Sequence, residues 1–339
     1  MRKTSKVVLI SVFLLLSLVL SIYYNHTIPR ILVVHSYDEN FSWVKGFNTS
    51  YLSVLKTYPR SLQTRMHYLG LLGAPNDQHK ATAAASALRA VETFEPDVLV
   101  VFGDLAAELV TPKLLNRPAI KIVFAGISQQ PSDHGFDTAN NTTGILKRLP
   151  LLALHEAMND LGRGKPLTIA CLGDARGVAM AEARQVAHYD WSPHTVLPCR
   201  QAGNFPEWQA QVNVLGAQAD VLFITGYRGV EREPGQTKVV PPAEVMTWTE
   251  AHSPALTMAV KDGFVADGGA LAISSSPQEQ GQTAGRLTVA LLQGQLAKDL
   301  PVKEGQAFGV AMHTQRLHQR GMRLPKVYEA AARAAGAYD

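Results

Sequence analysis

From Ile31 onwards the chain alternates short, mostly apolar runs with longer stretches whose apolar residues recur every three or four positions. Ile31 to Ser36 opens the series, and Trp43, Val44, Phe47, Tyr51 and Leu55 then follow at helical spacing despite Gly46. The pairing repeats through 62–69, 78–94, 97–102, 105–115 and 120–125. A strand covered on both faces reads as an unbroken apolar run, so strands of this kind separated by amphipathic helices predict a parallel sheet with helices on either side. After Ala125 the pattern breaks into a polar segment, 126–143, holding Pro131, Gly135, Asn140 and Asn141, which reads as a loop leading into a crossing between lobes. Alternation resumes with 149–161, 167–172, 178–188, 195–199, 208–215 and 221–225. A helix over 242–251, strands near 256–260 and 270–274 and a long helix over 278–292 complete it. The fold class expected is α/β, with two doubly wound parallel-sheet lobes around a ligand cleft, which suits a chain of 339 residues that is 46% hydrophobic.

Ahead of this body lie Arg2, Lys3 and Lys6, followed by the uncharged, Leu-, Val- and Ile-rich run Val7 to Tyr24. That is the layout of a secretory signal or an N-terminal membrane anchor. A bilayer core needs roughly 20 apolar residues as a helix, so length alone does not separate the two. Val19-Leu20-Ser21 is the best small-x-small cleavage candidate and is a poor one, which favours an uncleaved anchor. Either way the expected location is the periplasm, with a tether to the inner membrane if the leader is kept. The formal net charge is +4, and Arg2, Lys3 and Lys6 of the leader supply three of it, which leaves +1 for the rest. No Lys/Arg stripe interleaved with aromatics is present, and nucleic acid is excluded as an expected partner.

The two cysteines, Cys171 and Cys199, each fall in or at the end of an apolar run. They read as buried thiols acting as small hydrophobes. An oxidising compartment would permit a disulfide between them, although a bond joining neighbouring parallel strands is geometrically awkward. Without paired spacing they make no zinc site.

In doubly wound sheets ligands meet the C-terminal ends of the strands and the N-termini of the helices that follow. The positions to inspect are therefore Ser36 and Tyr37, Asp104, Gly126 and Ser128, Asp174, Tyr227 and Lys261, with Trp43 opening the first helix. Each has a plainer reading. Asp104 and Asp174 precede helices and could cap them, or bind a ligand ammonium or hydroxyls. Tyr37, Tyr227 and Trp43 could pack in the core or stack on a ligand. Lys261 could face solvent or contact an anion. Ser36 and Ser128 rest on position alone. Signatures of catalysis are poor: His155-Glu156 lacks a second zinc-binding histidine, 162–166 lacks a phosphate-loop ending, His313 and His318 fall on different helix faces, and no nucleophile elbow occurs. No enzyme activity, cofactor or metal is expected.

The blocks Val34-His35-Ser36-Tyr37 with Trp43-Val44-Lys45-Gly46, Pro96-Asp97 through Gly103-Asp104, Val123 to Gly126, and Asn141 to Gly144 together resemble the substrate-binding proteins of ABC transporters with the type I periplasmic-binding-protein-like fold, in the branch that includes tryptophan- and tyrosine-binding members. The most specific runs from Phe264 to Ala270 through Glu279-Gln280-Gly281 to Gly294 and Leu300-Pro301-Val302, and a tail from Leu317 to Ala330 is similar too. The resemblance implies two lobes joined by three crossings and closing on a small molecule. It divides the chain into a leader at 1–29, a first lobe at 30–127 and about 276–297, and a second lobe with closing helices at 128–275 and about 298–339. By that analogy the helix over 278–292 returns to the first lobe. The implied ligand is a small organic molecule such as an amino acid, and the implied partner is an ABC permease. A membrane signalling receptor is the alternative, the chain then being an anchored sensory module; an α/β transferase is a further one. Unlike many members, the chain has no lipid-accepting cysteine after its leader.

Overall fold

The computed structural model describes residues 10–20, 27–72, 76–236, 238–261 and 263–338. Arg2, Lys3, Lys6 and Ser21 of the leader lie outside these, as does Asp262. Residues 10–20 are helical, and Ile10, Phe13, Leu14 and Leu20 are all exposed. Among the described residues no helix is long and apolar enough to cross a membrane.

The first lobe is a six-stranded, wholly parallel sheet. Its strands are β1 (Arg30–His35), β2 (Gln63–Tyr68), β3 (Val98–Phe102), β4 (Lys121–Ile127), β5 (Thr142–Leu146) and, far along the chain, β12 (Lys303–Glu304). They run in the order β12-β5-β4-β3-β1-β2. Helix α1 (Ser42–Leu55) covers one face, while α2 (Asp77–Phe94) and α3 (Asp104–Val110) cover the other. Alternate residues of β1 supply the two faces: Ile31 and Val33 pack with α1, and Leu32 and Val34 pack against α2 and α3. The apolar runs are continuous because both faces are covered.

The second lobe holds α4 (Leu151–Gly162), β6 (Thr168–Asp174), α5 (Gly177–His188), β7 (Thr195–Val196), β8 (Arg200–Ala202) and α6 (Phe205–Gln218). It continues with β9 (Val221–Ile224), α7 (Pro242–His252), β10 (Leu256–Ala259) and β11 (Leu271–Ser275), and the chain returns to it for β13 (Phe308–Met312). The sheet order is β13-β11-β10-β9-β6-β7, with β8 also paired to β6. Here Ile169 and Cys171 pack on one face, Ala170 and Leu172 on the other. Contrary to the expectation of an all-parallel sheet, β13 pairs antiparallel with β11. The short helices α9 (Thr314–Gln319) and α10 (Lys326–Ala334) close this lobe.

Helix α8 (Pro277–Leu292) leaves β11 and returns to the first lobe, as the resemblance implied. It packs along α1, with Ala284, Leu287 and Leu291 in the same core as Trp43, Phe47 and Tyr51. The contact is closest at Gly281, where any Cβ would collide with the Phe47 carbonyl, and at Gly285, where a Cβ would stand 2.8 Å from Val54 Cβ.

Two further sequence expectations change. The lobe boundary lies after Leu146, not after Ile127, because β5 pairs parallel with β4 from Thr142 onwards, and the last crossing follows β12 rather than α8. Gly144 disguised β5, since glycine weakens a strand signal; here a Cβ would meet the Phe124 carbonyl and ring, so only glycine fits. Cys171 and Cys199 are joined in a disulfide with Cα atoms 4.4 Å apart, rather than being free buried thiols. The bond is accessible because Cys199 lies in the irregular link between β7 and β8, not in a paired strand beside β6.

Reduction, or a Cys171→Ala/Cys199→Ala double variant, is expected to lower stability by about 3.6 kcal/mol, the chain-entropy value for a bridge closing 28 residues. Urea unfolding with and without reductant measures this. Replacing Gly281 by Ala should force α1 and α8 apart and cost roughly 1–3 kcal/mol in the same assay.

Candidate functional site

The C-terminal ends of both sheets face one cavity of about 490 Å³ between the lobes. This is within the range of small-molecule sites, roughly 300–1,000 Å³. Of the sequence-selected residues, Tyr37, Trp43, Asp104, Gly126, Ser128, Asp174, Tyr227 and Lys261 border it. Ser36 does not. It is wholly buried, and its Oγ accepts the Ala106 N–H at 2.8 Å, so it caps the first turn of α3 from a neighbouring strand.

The first lobe supplies an aromatic wall. Trp43 lies parallel to Phe102 with ring centroids 6.2 Å apart, and Tyr37 meets Phe41 edge-on at 5.3 Å. Arg228 reaches across from the second lobe, its guanidinium 5.5 Å from the Phe41 ring, and pairs with Asp267 at 2.8 Å. Tyr227 is wholly buried; its hydroxyl donates to Asp267 at 2.5 Å and its ring packs on Phe264. Its packing reading therefore describes most of what it does.

Neither aspartate caps a helix through its side chain. The Asp104 carboxylate accepts the Ser128 N–H at 3.1 Å and the Gln129 N–H at 3.0 Å, with His134 Nε2 3.5 Å away, and so ties the end of β4 to the start of α3. Asp174 does the equivalent in the second lobe, accepting Gly229 N–H at 2.8 Å and Arg176 N–H at 3.3 Å. Burial raises the Asp174 pKa. Burial, and then the nearby carboxylates of Asp104, Glu182 and Asp174, raise that of the Tyr37 hydroxyl. Gly126 gives its N–H to Gln280 Oε1 at 2.8 Å and so presents only backbone to the cavity. Ser128 Oγ is buried without a hydrogen-bond partner among the described residues.

Lys261 does not face solvent. Its Nζ contacts Glu182 Oε2 at 2.5 Å, while Lys147 Nζ holds Oε1 of the same carboxylate at 2.6 Å. Lys147 also stands 5.3 Å from the centroid of the Trp43 ring. Burial and, less strongly, the charge of Lys147 lower the Lys261 pKa to about 8 against the pull of Glu182. Sequence reasoning missed Lys147, Glu182 and Arg176. Lys147 follows β5, of which only Thr142 and Thr143 fell in the segment expected to be a loop and the rest carried no assignment. Glu182 had a signal, a carboxylate on the apolar face of α5 beside Ala179, Ala183 and Val186. Among the described residues no group of three His, Cys, Asp or Glu could hold a metal ion.

No protein-family profile and no curated protein matches the chain. Among solved structures it is similar to a conserved domain protein from Vibrio cholerae, at 14% identity and a TM-score of 0.64 over 90% of this chain and 98% of that one. It is also similar to an ABC domain in complex with L-Trp from Streptococcus pneumoniae, at 14% identity and a TM-score of 0.66 over 90% of this chain and 99% of that one. A ligand-free, open substrate binding protein with adhesive properties from Clostridium difficile matches at 14% and 0.66 over 88% and 96%. The chain thus has the two-lobed α/β fold of type I periplasmic-binding-protein-like proteins.

Beneath the aromatic wall, His35 ends β1 stacked on Tyr68 at 5.0 Å and edge-on to Phe102 at 5.4 Å. Burial lowers its pKa from 6.5 to about 3. Between these values the unfolded chain binds a proton that the native one refuses. The stabilisation present above pH 6.5 is therefore lost as pH falls towards 3, at up to about 1.4 kcal/mol per unit. Urea unfolding across this window should show a shallower pH slope for His35→Phe than for the unmodified chain.

Proposed function

We propose that the protein is a periplasmic solute-binding protein, which captures a small organic molecule by closing its two lobes and delivers it to an ABC-type importer. The observation that carries this reading is the cavity itself, walled by Trp43, Phe102 and Phe41 on one side and by the Asp174 loop, the start of α5 and Lys261 on the other. Aromatic faces offer area for a ring or apolar body, and charged groups from the second lobe orient its polar end. An amino acid with an aromatic side chain is the leading ligand class, and the L-Trp complex of a protein with the same fold supports it. Binding without turnover accords with the absence of a nucleophile–base pair in the sequence motifs.

Two features support an extracytoplasmic location. The leader has cations before an apolar run, and the disulfide at Cys171 and Cys199 belongs in an oxidising compartment. The exposed apolar surface of helix 10–20 favours a second reading, in which the leader stays in the inner membrane and the lobes inform a neighbouring signalling receptor.

A thermal-shift screen of the purified chain against amino acids, aromatic acids and sugars tests the capture step. At a concentration 100 times Kd one class should stabilise the protein by about 2.7 kcal/mol, an upward Tm shift of several degrees. Trp43→Ala should weaken that ligand at least tenfold. Absence of stabilisation by every compound would overturn the proposal.

A further inference from the structure

We infer that Lys147 and Lys261, held together on the single carboxylate of Glu182, form an anion subsite that receives a carboxylate group of the bound solute. This deepens the reading of the cavity as a solute site and rests on it. Glu182 is 1% exposed, whereas the Lys147 and Lys261 side chains keep 12% and 17% of their surface and both border the cavity. One carboxylate between two ammonium groups leaves a positive charge on the wall. Arg176 adds another cation. It borders the same cavity, and its buried Nε has no hydrogen-bond partner among the described residues.

Of the carboxylates that border the cavity, the buried Asp174 is tied to the backbone N–H groups of Gly229 and Arg176, and the buried Asp104 to those of Ser128 and Gln129. Lys147, Lys261 and Glu182 by themselves set two cations against one carboxylate and so leave one positive charge in a partly desolvated part of the wall. An uncompensated charge of this kind is costly when lobe closure excludes water, and an anionic ligand group removes the cost. Gly177 and Val178, at the N-terminus of the twelve-residue helix α5, line the cavity beside Arg176 and add the positive end of the helix dipole. Lys147 stands over the Trp43 ring, so the charged end of the solute lies next to the aromatic wall. A planar or aromatic acid whose carboxylate sits a few bonds from its ring meets both requirements.

The test uses three probes on the full chain: indole-3-propionate, tryptamine and acetate. The first two share a ring and differ in the sign of their charge. Indole-3-propionate should raise Tm at millimolar concentration and bind at least tenfold tighter than tryptamine. Lys261→Met keeps Glu182 paired with Lys147, so the variant should fold and lose at least tenfold in affinity for the acid, while tryptamine binds no more weakly than before. Acetate should shift the ε-carbon NMR signals of Lys147 and Lys261 without any aromatic contact.

Unchanged affinity of Lys261→Met for the acid would overturn the subsite. Lysine signals unmoved by both acetate and indole-3-propionate would do the same. Stabilisation by tryptamine alone would remove the subsite and leave the capture reading standing. Lysine shifts with acetate, in a protein that neither indole stabilises, would support the subsite and count against aromatic capture.

Discussion

The architecture depends on one buried amide. Gln280, in the first turns of α8, accepts the Gly126 N–H at 2.8 Å and donates to the Leu146 carbonyl at 3.3 Å, joining the ends of β4 and β5. The same Leu146 carbonyl accepts Gly305 N–H, and Ser276 N–H donates to the Ala307 carbonyl. Glu279 accepts Gln306 and Ala307 N–H groups at 2.8 and 2.9 Å. All three crossings between the lobes therefore meet at the start of α8, and their polar backbone groups are satisfied by its side chains and by one another. A buried backbone group left without a partner costs about 1–3 kcal/mol, so this junction sets where each strand may end.

Those strand ends define the cavity. Asp104 and Asp174 occupy equivalent places in the two lobes, each fixing the loop after a neighbouring strand through backbone N–H groups. Their charge is solvated by dipoles that belong to the fold. The Lys147–Glu182–Lys261 group differs, because two ammonium groups share its single carboxylate. The first lobe thus offers an aromatic face, and the second offers most of the cationic character.

Much of the fold was legible because strands buried on both sides must be apolar at every position. Ile31 to Val34, Val98 to Phe102 and Val221 to Ile224 announced themselves in this way. Strand β5 did not, since Thr142, Thr143 and Gly144 carry little apolar signal, and the lobe boundary was misplaced with it. The edge strand β13 was missed because it is short and exposed over Phe308 and Gly309. The placement of α8 came from resemblance alone; its amphipathic pattern is equally compatible with packing on either lobe.

The sequence by itself determined the parallel cores of the two sheets and most of the strand ends that carry the site, because hydrophobic periodicity is local and each central strand must bury both its faces. Tertiary structure decided what those ends do. It spent Ser36 on a helix cap and Asp104 and Asp174 on loops, joined Cys171 to Cys199, and brought Lys147 and Lys261 to opposite oxygens of Glu182. Partners separated by as many as 114 residues share one carboxylate only when the crossings fold the lobes together, so no local pattern could have paired them.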